Sequence, residues 1–489
     1  MPSHAGNILM ALPVSKLTDH HRCTLYIVVL ALCLWHGLTP TVAHAEAPTL
    51  HDYFLQEPVF GGQARIVEAG SANAPLIVLV HGLNESADTW VPFIPALAQR
   101  LHVLSFDLPG FGQSSKANKL YSPDNYVAFI RFVLGKFPEQ KIILVGHSLG
   151  GNIALRFAQT YPQQVDRLML VDAAGILHRL AFSEFLSHFG IQALPTMYPG
   201  QQQDLQLLAD SVLGALTQYS SVAEVGESAI LNDPTLRDQF LGGYPPAIAT
   251  HAMMMTDFSK LLDNFPVPTL LLWGGQDRVT PVRTAKILAA NFDNAGLIVL
   301  DQAGHTPMSD DPKGFTSWLL RFADANTTER DAILQQHRYA PPVDNAADAD
   351  RIGNCRHENN KVFRGRYKRL VIDGCRGVQL QNLIADSVSV VHSQVSFENC
   401  RIHSNGKSLL LKNSDVTITA CRIQGEPAID LSNTKLDVAG SHVVSASDAI
   451  KVDAAGVSSD ILFSISQLHS RSRTQLLHGP LSLSPGQGL

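Results

Sequence analysis

The chain has 489 residues, 45% hydrophobic and 16% charged, which is enough to bury a sizeable core and to make two domains. Thirty-seven basic and 43 acidic residues leave a formal charge of −6 with no basic run, so the electrostatic footprint of a nucleic-acid binder is missing. No phosphate-cradling glycine loop and no metal-ligand spacing occurs, the 20 histidines are scattered, and neither a cofactor nor a metal is expected.

Residues 1–45 read as a secretory signal. His20-His21-Arg22 is weakly basic, Thr24 to Leu38 is mostly apolar, and Ala43-His44-Ala45 is a small-x-small cleavage site before Glu46. The apolar stretch falls short of the ~20 residues that a membrane span needs. Leu32 before Cys33 is too large for a lipid-attachment site. A periplasmic or secreted mature chain is expected; whether the leader is cleaved or kept as an anchor is left open.

The next elements alternate. Leu76-Ile77-Val78-Leu79-Val80 is an apolar strand running into His81-Gly82, and Val103-Leu104-Ser105-Phe106 is another, running into Asp107-Leu108-Pro109-Gly110-Phe111-Gly112-Gln113-Ser114. Ile142-Ile143-Leu144-Val145 leads into Gly146-His147-Ser148-Leu149-Gly150 and then a helix-like stretch from Asn152 to Ala158. Strand, G-x-S-x-G and helix in that order make a nucleophile elbow, in which small flanking residues let strand and helix approach. Arg167 to Asp172 is a further strand. From Ile176 to about Leu262 helix-like spacing takes over, with Leu180, Phe182, Phe185, Leu186 and Phe189, and with Met253-Met254-Met255. This reads as a helical cap; methionines suit irregular apolar ligands, although a role in gluing cap to core is slightly favoured over substrate contact. Thr269 to Trp273 ends on Gly274-Gly275-Gln276-Asp277, and Leu297 to Leu300 leads to Gly304-His305-Thr306-Pro307.

With these motifs in this order, the stretch from about Pro58 to Ala325 resembles the α/β-hydrolase family, and residues 46–325 are taken as that domain. The resemblance implies an α/β sheet under the cap, Ser148 as nucleophile, His305 as its base, and Asp277 as the acid that orients the histidine. Asp172 is the nearest rival acid, but it ends an earlier strand. The oxyanion hole is expected at the backbone N–H groups of Leu83 and Leu149. Asn84, Trp90 and Met254 are candidates for substrate contact, while His81 and His147 read as structural. A serine in the elbow argues against branches of the family that attack with a carboxylate.

Residues 326–350 are polar, with Pro341-Pro342, and read as a linker. After them comes a repeat. Aligning Cys400 with Cys421 and Ser441, at spacings of 21 and 20, also aligns Val395, Val416 and Leu436; Phe397, Ile418 and Val438; and Ile402, Ile423 and Val443. The same register aligns Leu409, Ile429 and Ile450, then Leu411, Leu431 and Val452, and matches Asn413 with Asn433. Leu370, Ile372 and Cys375 fit one turn earlier at a spacing of 25. Alternating apolar residues with one coil per repeat make residues 351–470 resemble a right-handed parallel β-helix, followed by a tail from 471 to 489. Cys375, Cys400 and Cys421 then fall at one position of successive coils. A stacked column of free cysteines is favoured over two disulfides that include Cys355.

The expected function is a carboxylic ester hydrolase, lipase-like or esterase-like, acting through an acyl-enzyme on a small-molecule ester of an apolar acid or alcohol. The alternatives are a carbon–carbon or amide bond hydrolase with the same residues, or a surface binding protein that contacts a polysaccharide or cell-surface partner through the β-helix. The oligomeric state is not legible in the sequence.

Overall fold

The computed structural model describes residues 49–138, 140–181, 224–262, 264–344, 350–471 and 473–489. The signal segment 1–45 and the cap residues Phe182, Phe185, Leu186 and Phe189 lie outside the described residues.

The first half is built on an eight-stranded sheet: β1 (Leu50–Glu57), β2 (Gly62–Ala69), β3 (Leu76–Val80), β4 (His102–Phe106), β5 (Ile142–His147), β6 (Val165–Val171), β7 (Thr269–Gly274) and β8 (Ala295–Leu300). Their spatial order is β1-β2-β4-β3-β5-β6-β7-β8. β1 and β2 pair antiparallel, as do β2 and β4; every pair from β4 onward is parallel. The central strands β3 to β7 are apolar along nearly their whole length because helices cover both faces, as parallel sheets require.

Two helices fix the middle of the sheet. In α1 (Pro123–Leu134) Pro123 occupies the first turn, where no N–H is needed, and the Ser122 side chain accepts from Asn125 N. α2 (Leu149–Thr160) starts at Ser148 and is buried from Leu149 to Leu155. Three described helices follow in the cap region, α3 (Glu224–Asn232), α4 (Pro234–Leu241) and α5 (Pro245–Met254), and then α6 (Val282–Asn291) and α7 (Pro312–Ala323) return to the sheet.

The expected linker begins later than its polarity suggests. Thr327–Gln336 is a further helix, α8, opened by a reciprocal capping box between Asn326 and Glu329. Its Ile333 and Leu334 are buried against the sheet, and Leu297 N donates to His337 O at 2.8 Å. A polar sequence therefore hides a helix whose one apolar face completes the hydrolase core.

From Ile352 the chain coils as a parallel β-helix with three faces. On one face β12 (Gln394–Glu398), β15 (Asp415–Thr419), β18 (Lys435–Ala439) and the start of β21 (Ser459–Ser470) pair parallel. On the second lie β13 (Arg401–His403), β16 (Arg422–Gln424), β19 (His442–Val444) and the end of β21. On the third lie β14 (Leu409–Lys412), β17 (Ile429–Ser432) and β20 (Ile450–Val452). Before them, β11 (Val378–Val391) runs along all three faces and pairs with β12, β13 and β14 in turn. The aligned trios of the sequence repeat are paired residue for residue, and their apolar members fill the coil interior. At one corner His392, Asn413 and Asn433 take positive φ, and Asn433 Nδ2 donates to Asn413 Oδ1 at 2.8 Å, a ladder of stacked side chains.

Three expectations for this half are corrected. Leu370 and Ile372, on β10 (Val362–Asp373), pair with Val388 and Val390, so they stack above the third face and not above Val395 and Phe397. The cysteines accordingly occupy two corners. Cys400, Cys421, Ser441 and Ser466 make one column, each backbone N donating to the next side chain. Cys375 heads the other, donating from N to Ser393 Oγ, whose own N donates to Ser414 Oγ. Cys375 is disulfide-bonded to Cys355, while Cys400 and Cys421 are free and buried. Finally, the C-terminal tail is structured: Arg473–Leu483 is β22, an antiparallel partner that closes the last coil along β21.

The β-helix is docked on the hydrolase half. Arg283 on α6 pairs with Asp437 at 2.5 Å and donates to Thr419 Oγ1, and Lys286 pairs with Glu398 at 2.7 Å. Asn291 donates to Gly440 O, and its side-chain oxygen faces His442 Nε2 at 2.9 Å. Ala439 and Ile465 of the β-helix belong to the same apolar cluster as β3, β5 and α6.

Candidate active site

The strand ends β3, β5, β6, β7 and β8 bring the sequence motifs to one edge of the sheet. Ser148 sits between β5 and α2 with φ 51° and ψ −116°, a backbone conformation that costs a non-glycine residue roughly 1–3 kcal/mol. The turn is possible because its flanks are glycines. A Cβ on Gly150 would run into the carbonyls of Val80 and His81, and one on Gly146 into the carbonyl of Gly150. The strained turn aims Oγ at His305, whose Nε2 lies 3.0 Å away. The other ring nitrogen, Nδ1, is 2.9 Å from Asp277 Oδ2. Ser148, Asp277 and His305 are each less than a tenth exposed.

Asp277 is held from several sides. Oδ1 accepts from Val279 N at 2.7 Å and Thr280 N at 2.9 Å, and Thr280 Oγ1 donates to Oδ2 at 2.6 Å. Burial, the largest single influence, pushes its carboxyl up, but the adjoining His305, Asp172 and Thr280 together hold it below the usual carboxylate range. Asp172, at the end of β6, is fully buried and accepts from Gly274 N at 2.9 Å. Burial and the nearby Asp277 push its carboxyl well above the ordinary value. Of the two acids, Asp277 is therefore the one whose surroundings favour the charged form, and Asp172 the one whose surroundings favour the neutral form. Asp172, Asp277 and His305 form a group whose ligand atoms lie within 4.8 Å of one another. Asp277 Oδ2 and His305 Nδ1 are already engaged with each other.

The turn after β3 carries Leu83, and α2 begins at Leu149. Among the described residues neither N–H has a protein acceptor, so both are available to an incoming oxygen. Asn84 follows Leu83 at positive φ and is half-buried. Met254 is half-buried on α5 and packs against the main core. Trp90 is corrected as a substrate contact. It is wholly buried in the core on the other face of the sheet, its ring 6.4 Å from Phe315. Sequence reasoning did not single out Thr280 or Glu85. The Asp277-Arg278-Val279-Thr280 turn held a usable signal, because a hydroxyl three residues after a turn aspartate is placed to cap it.

Residues 75–312 match the family model of the alpha/beta hydrolase fold. An uncharacterized protein of Mycobacterium tuberculosis is 32% identical over 271 residues, which are 53% of this chain and 77% of that protein. The chain belongs to the alpha/beta hydrolase family. Within this family it is similar to a pimeloyl-[acyl-carrier protein] methyl ester esterase of Pectobacterium carotovorum, 31% identical over 52% of this chain and 96% of the relative. It is also similar to a 2-hydroxy-6-oxononadienedioate/2-hydroxy-6-oxononatrienedioate hydrolase of Cupriavidus pinatubonensis, 25% identical over 51% of this chain and 87% of the relative. These matches span about half of this alpha/beta hydrolase.

Proposed function

We propose that this hydrolase cleaves carboxylic esters through an acyl-enzyme on Ser148. The observation that carries the reading is the unbroken hydrogen-bonded line from Asp277 through His305 to Ser148 Oγ. In the first step Oγ attacks the carbonyl carbon while His305 Nε2 takes its proton, and the carbonyl electrons move to oxygen, where the N–H groups of Leu83 and Leu149 receive the negative charge. The intermediate collapses as His305 returns the proton to the departing alcohol oxygen. Water then repeats the sequence on the acyl-serine and releases the acid. The similarity to an ester-cleaving relative supports the bond type. The apolar acid or alcohol part is carried over from the apolar residues of the cap, of which Met254 on α5 is half-buried against the main core.

The test is a graded series of p-nitrophenyl esters with the full chain and Ser148→Ala. Turnover that vanishes in the variant supports the reading. Turnover that survives it, or none on any ester beside turnover of a carbon–carbon or amide substrate, sinks the ester assignment.

Export is part of the proposal, resting on the small-x-small site at Ala43-His44-Ala45. A precursor that stays at full mass in the cytoplasm would contradict it. A binding role for the β-helix has one supporting observation. An open polar groove of about 590 Å³ runs along the asparagine ladder, lined by Arg376, His392, Asn413, Asn433 and Lys435 among others. Retention of the protein on a polysaccharide column, lost on Asn413→Ala, would support that reading.

A further inference from the structure

Two histidines flank the site, and their surroundings differ. His81 Nε2 accepts from Leu108 N at 2.9 Å, so its single proton lies on Nδ1, which faces Gly82 O at 2.7 Å. One donor and one acceptor fit a neutral ring, and burial lowers the proton affinity of His81 in agreement. His147, directly before Ser148, faces two acceptors. Nδ1 lies 3.2 Å from Glu85 Oε2, and Nε2 lies 2.8 Å from the carbonyl oxygen of His305. A neutral ring has one N–H and would turn a lone pair toward one of these oxygens; with Glu85 as a carboxylate, only the doubly protonated ring satisfies both.

We propose that His147 is held as an imidazolium that acts as a positioning residue, clamping the His305 loop to the Leu83 turn on either side of Ser148. The inference rests on the serine-hydrolase reading above. Glu85 supplies the counter-charge and the second link. Its Oε2 also accepts from Gly82 N at 2.8 Å, one residue before Leu83, and is 3.4 Å from Thr89 Oγ1. The fit is close enough that a Cβ on Gly82 would meet His147 Nδ1 at 2.9 Å and Glu85 Oε2 at 3.1 Å. His147 is 1% exposed, so its charge is met by Glu85 and not by solvent. Burial opposes both charges. The Glu85 carboxylate nonetheless raises the proton affinity of His147, and His147 in turn helps pull the Glu85 carboxyl down to about 2. The other titratable groups facing the pair are His81, the His305 ring, which lies 5.1 Å from that of His147, and the carboxylate of Asp277. The clamp thus joins three strand ends, β3 through Glu85, β5 through His147 itself, and β8 through the His305 backbone.

Replacing Glu85 by Gln keeps an acceptor for Gly82 but removes the anion, so His147 should revert toward an ordinary histidine. At pH 8 the protonated form of a histidine with pKa near 6.5 is depleted roughly thirtyfold. The first measurement is the imidazole nitrogen NMR spectrum of ¹⁵N-histidine-labelled protein at pH 8, with His147→Gln to assign the signal. The clamp predicts imidazolium signals that persist in the full chain and disappear in Glu85→Gln. A His147 that titrates like a free histidine overturns it, whatever the enzyme acts on. The second measurement is the rate of Ser148 labelling by a fluorophosphonate, which needs no natural substrate. Glu85→Gln should be several-fold slower at pH 8 and close to the parent at pH 5.5, with Glu85→Asp restoring part of the rate at pH 8. An equal loss at both pH values would mean a steric role only, and overturns the clamp. Absence of labelling in every variant, beside persistent imidazolium signals, would reject the serine nucleophile and with it the clamp's catalytic purpose.

Discussion

Single residues decide the chemistry at the sheet edge, and the two buried acids show how. Asp277 faces His305 Nδ1, which favours its charged form, whereas burial and the nearby Asp277 favour the neutral form of Asp172. Asp277→Asn should lower turnover about 10⁴-fold, because the amide leaves the imidazole in the wrong tautomer. Asp172→Asn keeps an acceptor for Gly274 N and an uncharged neighbour for Asp277, and should cost less than about tenfold on the scale of a lost neutral hydrogen bond. Comparing kcat for the two variants on the best ester decides between the acids; a larger loss from Asp172→Asn would reverse the roles. The elbow is equally local. Gly150→Ala should fail to accumulate as folded protein or melt far below the parent, since its Cβ would be driven into two backbone carbonyls that cannot yield. A parent-like melting temperature would show that the turn is looser than its geometry.

Elements differ in how far their sequences reveal them. The strand–elbow–helix segment was legible because its constraint is local, with glycines needed within three residues of Ser148. The β-helix repeat was legible wherever coils keep a period of 20 or 21, as from Phe397 to Ile418 to Val438. It failed at Cys375 because β10 and β11 are long strands crossing corners, and two corners carry small Cys, Ser or Thr residues that look alike in sequence. Helix α8 was hidden by its polar face, although Asn326 and Glu329 are spaced as a capping box. The docking of the two halves was not legible, because Arg283 and Asp437 meet only through the fold. The corrected cysteine placement has a consequence for stability. The Cys355–Cys375 bond closes a separation of 20 residues across the first coil, and a loop of that size is worth about 3 kcal/mol in the chain-entropy model. Cys355→Ala with Cys375→Ala should therefore destabilise the β-helix by about that amount in urea unfolding. Cys421→Ser, which continues the hydroxyl column of Ser441 and Ser466, should cost little. A double-alanine variant that unfolds with the parent would show that β9 (Ile352–Arg356) contributes its hydrogen bonds without help from the bridge.

At the scale of the whole molecule, acid should weaken the seam between the halves. His178, on the segment leaving β6, donates from its backbone N to Ser464 Oγ at 2.9 Å, and its ring lies 5.0 Å from that of His478 on β22. Burial, then the nearby His478 and Arg179, lowers the proton affinity of His178 until its pKa is about 3; burial likewise lowers that of His478. Asp257 is the one nearby group that acts the other way. Unfolded, both rings would titrate near 6.5. Between about pH 6.5 and 3 the unfolded chain therefore binds a proton that the docked His178 refuses, and His478 acts in the same direction. The sign follows from linkage: where the unfolded state holds more protons, stability rises with pH, so the seam's contribution is complete above about 6.5 and is lost as pH falls. The double variant His178→Asn, His478→Asn separates this effect from general acid unfolding. Its amide oxygens can accept from Leu180 N and Ile465 N, where each histidine now offers Nδ1. Melting curves of the two proteins between pH 7 and 4 should diverge, the parent losing the more stability toward acid. Parallel curves would mean that the seam opens enough for its histidines to protonate without cost.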